Sequence, residues 1–85
     1  MVSTRIIHGR RALQDLLRQV RVDAGLSQRA VAARLHQAQS YVSKYETGER
    51  RLDLAQLDEV CEAIGIPLED LVRRYKDLVA RDEDA

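Results

Sequence analysis

Eighty-five residues supply material for one small domain, 45% hydrophobic but without Phe or Trp, so Leu, Val, Ile and Ala must fill its core. Cys61 is the single cysteine, which excludes an internal disulfide and fits a reducing compartment. The zero net charge hides a division: residues 1–51 hold ten Arg or Lys against four Asp or Glu, and residues 52–85 hold four against ten.

In chain order, residues 1–9 carry no clear pattern and are expected to form an N-terminal arm or extension. Leu13, Leu16, Leu17, Val20 and Ala24 fall on one face of a helix, predicted from about Arg10 to Asp23 and ended by Gly25. Ser27 is a suitable N-cap for a second helix, "QRAVAARL", which would bury Ala30 or Val31, and Leu35. A third helix spans about Gln39 to Thr47, with Gly48 just beyond it. Asp53 caps a fourth, with Gln56 at capping-box spacing and an apolar stripe of Leu57, Val60, Cys61 and Ile64. Gly65 stops it, and Ile66 can fold back onto its last turn. Pro67 opens a fifth helix through Leu68, Leu71, Val72, Tyr75, Leu78 and Val79 to about Ala80, leaving a charged tail at 81–85. No segment alternates with period two, so the expected fold is all-α, a compact five-helix domain over residues 10–80.

The link between the second and third helices is about three residues, His36 to Ala38. So short a link forces a sharp turn, the helix-turn-helix plan, here at about residues 27–47, in which the second helix enters the major groove of DNA. Val42 and Tyr45, at i and i+3, would anchor that helix to the core. Gln39, Ser40, Ser43 and Lys44 would then project outward. Gln can make two hydrogen bonds to adenine, Ser is a short adaptable donor and acceptor, and Lys reaches guanine or a phosphate.

These residues, with "LRQVRVDAGLSQRAVAARL", "YVSKYETGERR" and "LDEVCEAIGIPLEDL", resemble the phage-repressor type of helix-turn-helix, the Cro and lambda-repressor family. The resemblance runs from Leu17 to Leu71 and is most specific at Arg21, "GLSQ" at 25–28, Ala32, and Glu46 with Gly48. It implies that Gln39 and Ser40 are the main base-reading positions, with Lys44 another one turn further on. Ser43 and Tyr41 flank them and would meet the DNA backbone or a neighbouring base, Tyr41 being assigned to phosphate. Gln28 would touch a phosphate and brace the third helix, and Arg50 and Arg51 would lie in a loop along the phosphates. Arg21 and Glu46 would form a partly buried structural ion pair. The chain departs from the family in carrying His36 where Gly is usual, and "RRLDL" where a Pro often follows the basic loop. His tolerates positive φ, so the turn is expected to survive.

The fifth helix has more apolar residues than a small core needs, so Tyr75, Leu78 and Val79 are expected to meet a second subunit. The alternative is that this segment folds back onto the first helix, where Ile6 and Ile7 also need cover. The expected function is a two-fold dimer that binds double-stranded DNA at a palindromic operator and regulates transcription as a repressor or autoregulator. A second reading is an antitoxin or partner-recruiting adaptor, with a toxin or RNA polymerase as protein partner. The chain lacks a nucleophile–base–acid set, a Gly-rich phosphate loop and metal-ligand spacing, so neither an enzyme nor a bound cofactor or metal is expected. No apolar run reaches the roughly 18 residues of a membrane span, and the N-terminus lacks a secretory apolar core. A soluble cytoplasmic protein is the expectation.

Overall fold

A computed structural model describes residues 2–84, which form five helices and no strand: α1 (Thr4–Asp23), α2 (Gln28–Arg34), α3 (Gln39–Thr47), α4 (Leu54–Ile64) and α5 (Leu68–Asp84). Their ends follow from local chemistry. The Ser27 hydroxyl accepts from the Ala30 N–H at 3.0 Å and opens α2. Asp53 and Gln56 cap α4 reciprocally, each backbone N–H donating to the other's side chain at 2.8 Å. At the other end of α4, Gly65 takes φ 96°, and the Ile66 N–H returns to the Cys61 carbonyl at 3.0 Å. His36 adopts φ 56° in the turn between α2 and α3, the single non-glycine residue with positive φ among those described.

The first helix begins at Thr4 rather than about Arg10, so residues 4–9 are helix and not a free arm. Ser3 caps it by accepting from the Ile6 N–H at 3.2 Å. Gly9 does not interrupt the helix. It is buried, and a Cβ there would stand 2.5 Å from the Tyr75 hydroxyl, so the missing side chain leaves room for the end of the Tyr75 ring. At the far end, Ala24 is an exposed C-cap residue and not part of the apolar face; Leu26 packs against the core after the turn at Gly25. The fifth helix runs past Ala80 to Asp84, so the tail expected from 81 is helical; Ala85 and Met1 lie outside the described residues.

The core is aliphatic, as an interior without Phe or Trp must be. Val31, Val42 and Val60 are fully buried, and Leu16, Leu17, Val20, Leu35, Cys61, Ile64 and Leu71 surround them. Ala32, rather than Ala30, joins Val31 inside. Tyr45 is the largest buried side chain, at 2% exposure. Burial pushes the Cys61 thiol up from an ordinary 9.0 to about 11, with the charges of Asp58 and Glu69 adding to it. Arg34 ties α2 to the end of α4 by donating to the Ala63 carbonyl at 2.7 Å, a cation at a helix C-terminus.

Part of the surface expected to meet a second subunit is used within the chain. Tyr75 lies over Gly9, and both Tyr75 and Leu78 pack against the core, which is the fold-back onto α1 held as the alternative. Val79 is half-buried beside Arg5 and Tyr75. Val72, expected on the inner stripe of α5, is 47% exposed instead, and Ile6 and Ile7 remain exposed too. No helix among the described residues is long and apolar enough to cross a membrane.

Candidate nucleic-acid interface

The third helix is fixed from beneath. Val42 is fully buried and Tyr45 nearly so, which turns the opposite side of α3 to solvent. Gln39, Ser40 and Lys44 are exposed there, and Ser43 is half-buried at the margin. Ala38, at the N-cap, has no side chain able to accept a hydrogen bond, so no side chain caps the first amides of α3. An anion such as a phosphate suits that position, because the helix end concentrates partial positive charge and free donors.

A chain of hydrogen bonds runs from the interior to this surface. Arg21 donates through Nε to Glu46 Oε2 at 2.7 Å and through Nη2 to Oε1 at 3.0 Å. Its Nη1 donates to the Leu26 carbonyl at 2.9 Å, locking the turn between α1 and α2. The two side chains of the pair are only 11% and 3% exposed, which makes this a semi-buried, bidentate ion pair. The hydrogen bonds to Glu46 push the Arg21 pKa above its ordinary value, against the opposing effect of burial. Gln28 Nε2 then donates to Glu46 Oε1 at 3.1 Å, and Gln39 Nε2 donates to Gln28 Oε1 at 3.4 Å. At the outer end, Arg29 Nε donates to Gln39 Oε1 at 3.3 Å.

The loop after α3 is built to carry charge. Gly48 ends the helix at φ 88°, where Gln14 of α1 comes so near that a Cβ would meet its Nε2 at 2.6 Å. The Arg50 N–H donates to the Lys44 carbonyl at 3.2 Å, and the Arg50 guanidinium lies 4.8 Å from the Tyr41 ring centroid. Tyr41 in turn meets Tyr45 edge-on, with centroids 5.8 Å apart. Tyr41 is therefore a half-buried bracket that holds Arg50 against the core. Arg51 is exposed, and Arg10 of α1 lines the same shallow groove as Arg50, Arg51 and Leu52. Three guanidiniums thus line one groove beside the N-terminal half of α1, where their positive charge would favour a polyanion.

Two of these participants were not singled out in the sequence. Arg10 shares a helical face with Leu13, Gln14 and Leu17, but that periodicity does not show that the loop of Arg50 and Arg51 comes beside it. Arg29 gives no sequence signal, because its bond to Gln39 depends on how α2 and α3 cross. Tyr45 adds an unexplained feature: its hydroxyl is buried without a hydrogen-bond partner among the described residues. Burial, with the nearby Glu46 charge, pushes its pKa up, so it stays neutral.

Comparison with known proteins agrees with this geometry. A family model described as "Helix-turn-helix" matches residues 17–71. Among solved structures, an XRE-family like protein from Pseudomonas syringae pv. tomato is 40% identical, with 88% of this chain and 94% of that one covered and a TM-score of 0.79. The clp gene regulator ClgR from Corynebacterium glutamicum is 28% identical over 89% of this chain and 81% of that one, again with a TM-score of 0.79. A second structure of ClgR is 29% identical over 81% and 90%, with a TM-score of 0.74. No curated protein sequence gives a significant match. The chain belongs to the XRE, lambda-repressor-like family of helix-turn-helix proteins, and it is a DNA-binding transcription regulator.

Proposed function

We propose that the chain binds as a two-fold dimer to a palindromic operator and represses transcription there, its own promoter included, by keeping RNA polymerase off. The observation that carries this reading is the division of α3: Val42 and Tyr45 are sealed inside while Gln39, Ser40 and Lys44 face outward from the same short helix. Gln39 and Ser40 read base edges, with Lys44 and Ser43 reaching a neighbouring base or the backbone. Gln28, Tyr41, Arg50 and Arg51 hold or support phosphate contacts, and Arg10 joins them from α1. The exposed acidic side chains Asp58, Glu59 and Glu62 on α4 disfavour binding by that side, since like charges repel.

The dimer rests on the outer face of α5. Val72 and Val79 are one heptad apart on that face, with Lys76 between them; Val72 is exposed and Val79 half-buried, while the Tyr75 ring turns inward over Gly9. To read half-sites one turn of DNA apart, such a dimer must hold its two copies of α3 about 34 Å apart. Selection of bound sites from random duplex DNA tests the reading. An inverted repeat with half-sites one helical turn apart supports both dimer and operator. A single asymmetric site, or no enriched sequence, contradicts it.

A further inference from the structure

Gln39 is gripped on two flanks in the absence of DNA, and the two grips differ in kind. An amide side chain can rotate by half a turn and exchange its oxygen for its nitrogen, which reverses what it offers to a base. The hydrogen-bond chain here removes that freedom. At its inner end the Glu46 carboxylate, already ion-paired with Arg21, accepts and cannot donate. Gln28 must therefore turn its NH2 group to Glu46 and its oxygen to Gln39. Gln39 must turn its own NH2 group to Gln28 and its oxygen the other way. There it meets Arg29, which donates and cannot accept. Two amides lie between an acceptor-only end and a donor-only end, and one orientation of each satisfies all the bonds.

We propose that Arg29 is a specificity-determining positioning residue that fixes which way the Gln39 amide faces the DNA. This rests on the reading of Gln39 as the base-contacting side chain. An amide has two N–H donors and two carbonyl lone pairs, and the grips take one of each. One donor and one acceptor remain, the pair that matches N7 and the N6 amino group of adenine. Guanine offers N7 and O6, two acceptors, so the free lone pair of Gln39 would oppose O6. A flipped amide would also point its NH2 group at the Arg29 guanidinium, donor against donor. Without Arg29, Gln39 keeps only the long 3.4 Å bond to Gln28 and can turn toward guanine at little cost.

The test is a double-mutant cycle read on two duplexes: the selected operator, and the same operator with the A·T pair opposite Gln39 changed to G·C. Arg29→Ala is expected to narrow the preference for adenine by about tenfold, and to leave it unchanged when introduced into Gln39→Ala. Arg29→Lys, also a pure donor, is expected to keep most of the preference. In the DNA-free protein, Arg29→Ala should shift the Gln39 side-chain amide resonances while the thermal midpoint stays put. An unaltered preference in Arg29→Ala overturns the proposal. So does an Arg29→Ala effect that persists undiminished in the Gln39→Ala background, because Arg29 would then touch the base itself. An equal loss on both duplexes with a flatter salt dependence makes Arg29 a phosphate contact and overturns the proposal too. If Gln39→Ala alone leaves the adenine preference intact, the base-reading role of Gln39 fails first, and the positioning role falls with it.

Discussion

Arg21 and Glu46 hold the end of α3 to the end of α1 at small exposure, and Arg21 also closes the turn through the Leu26 carbonyl. A surface pair of this kind would be worth little, but here removing one partner leaves the other charge in a largely desolvated place. Glu46→Ala is therefore expected to lower unfolding free energy by about 3 kcal/mol in a denaturant titration. It should also loosen Gln28, which loses its acceptor. Cys61 gives a second residue-level expectation. Its pKa is raised on folding, from 9.0 to about 11, so the native state holds the thiol proton more tightly than the unfolded chain does. The stability from this group is complete below pH 9 and is lost as pH rises from about 9 to 11. Unfolding measured across that window should decline less steeply in Cys61→Ala than in the parent; parallel declines would show that the thiol contributes nothing.

Helices begin and end where short-range chemistry says they should when the signal is contiguous in the chain. Ser27, the Asp53–Gln56 box, Gly65 and the His36 turn were all legible, because each involves residues within a few positions of one another. The start of α1 was not. Gly9 reads locally as a breaker, and only the arrival of Tyr75 from α5 shows that the position is a helix crossing. The exposure of Val72 was hidden for the same reason, and the fold-back of Tyr75 and Leu78 could be named only as an alternative, since periodicity marks an apolar face but not what covers it. Of the candidate site, the inward pair Val42 and Tyr45 and the outward Gln39, Ser40 and Lys44 followed from spacing alone. The Arg21–Glu46 pair came from family resemblance, and Arg29 against Gln39 from neither. The packing of α1 beside the loop after α3 has a consequence for the proposed binding, because Arg10 lines one groove with Arg50 and Arg51. Arg10→Ala is expected to weaken binding to every duplex and to flatten the salt dependence by about one unit, as Arg51→Ala should. An unchanged slope would take Arg10 out of the phosphate set.

At the scale of the molecule, the zero net charge conceals a polarity along the chain, with Lys44, Arg50 and Arg51 exposed on α3 and its loop and Asp58, Glu59 and Glu62 exposed on α4. Charge of this kind would govern how fast and in which orientation the protein meets DNA, and the base contacts proposed for α3 would govern where it stays. The dimer proposed to double this reading would depend on a modest apolar strip. Val72→Asp, at an exposed position that the core does not use, is expected to give monomers in sedimentation and a steep loss of operator affinity, with little change in helix content. A dimer that survives this change would put the interface elsewhere. The central claim is that α3 displays Gln39 to base edges because Val42 and Tyr45 pin it from behind, and the affinity of Gln39→Ala at fixed salt tests it most directly. On the selected operator the variant should lose about 1–3 kcal/mol, and on random duplex almost nothing. Equal losses on the two would contradict the account.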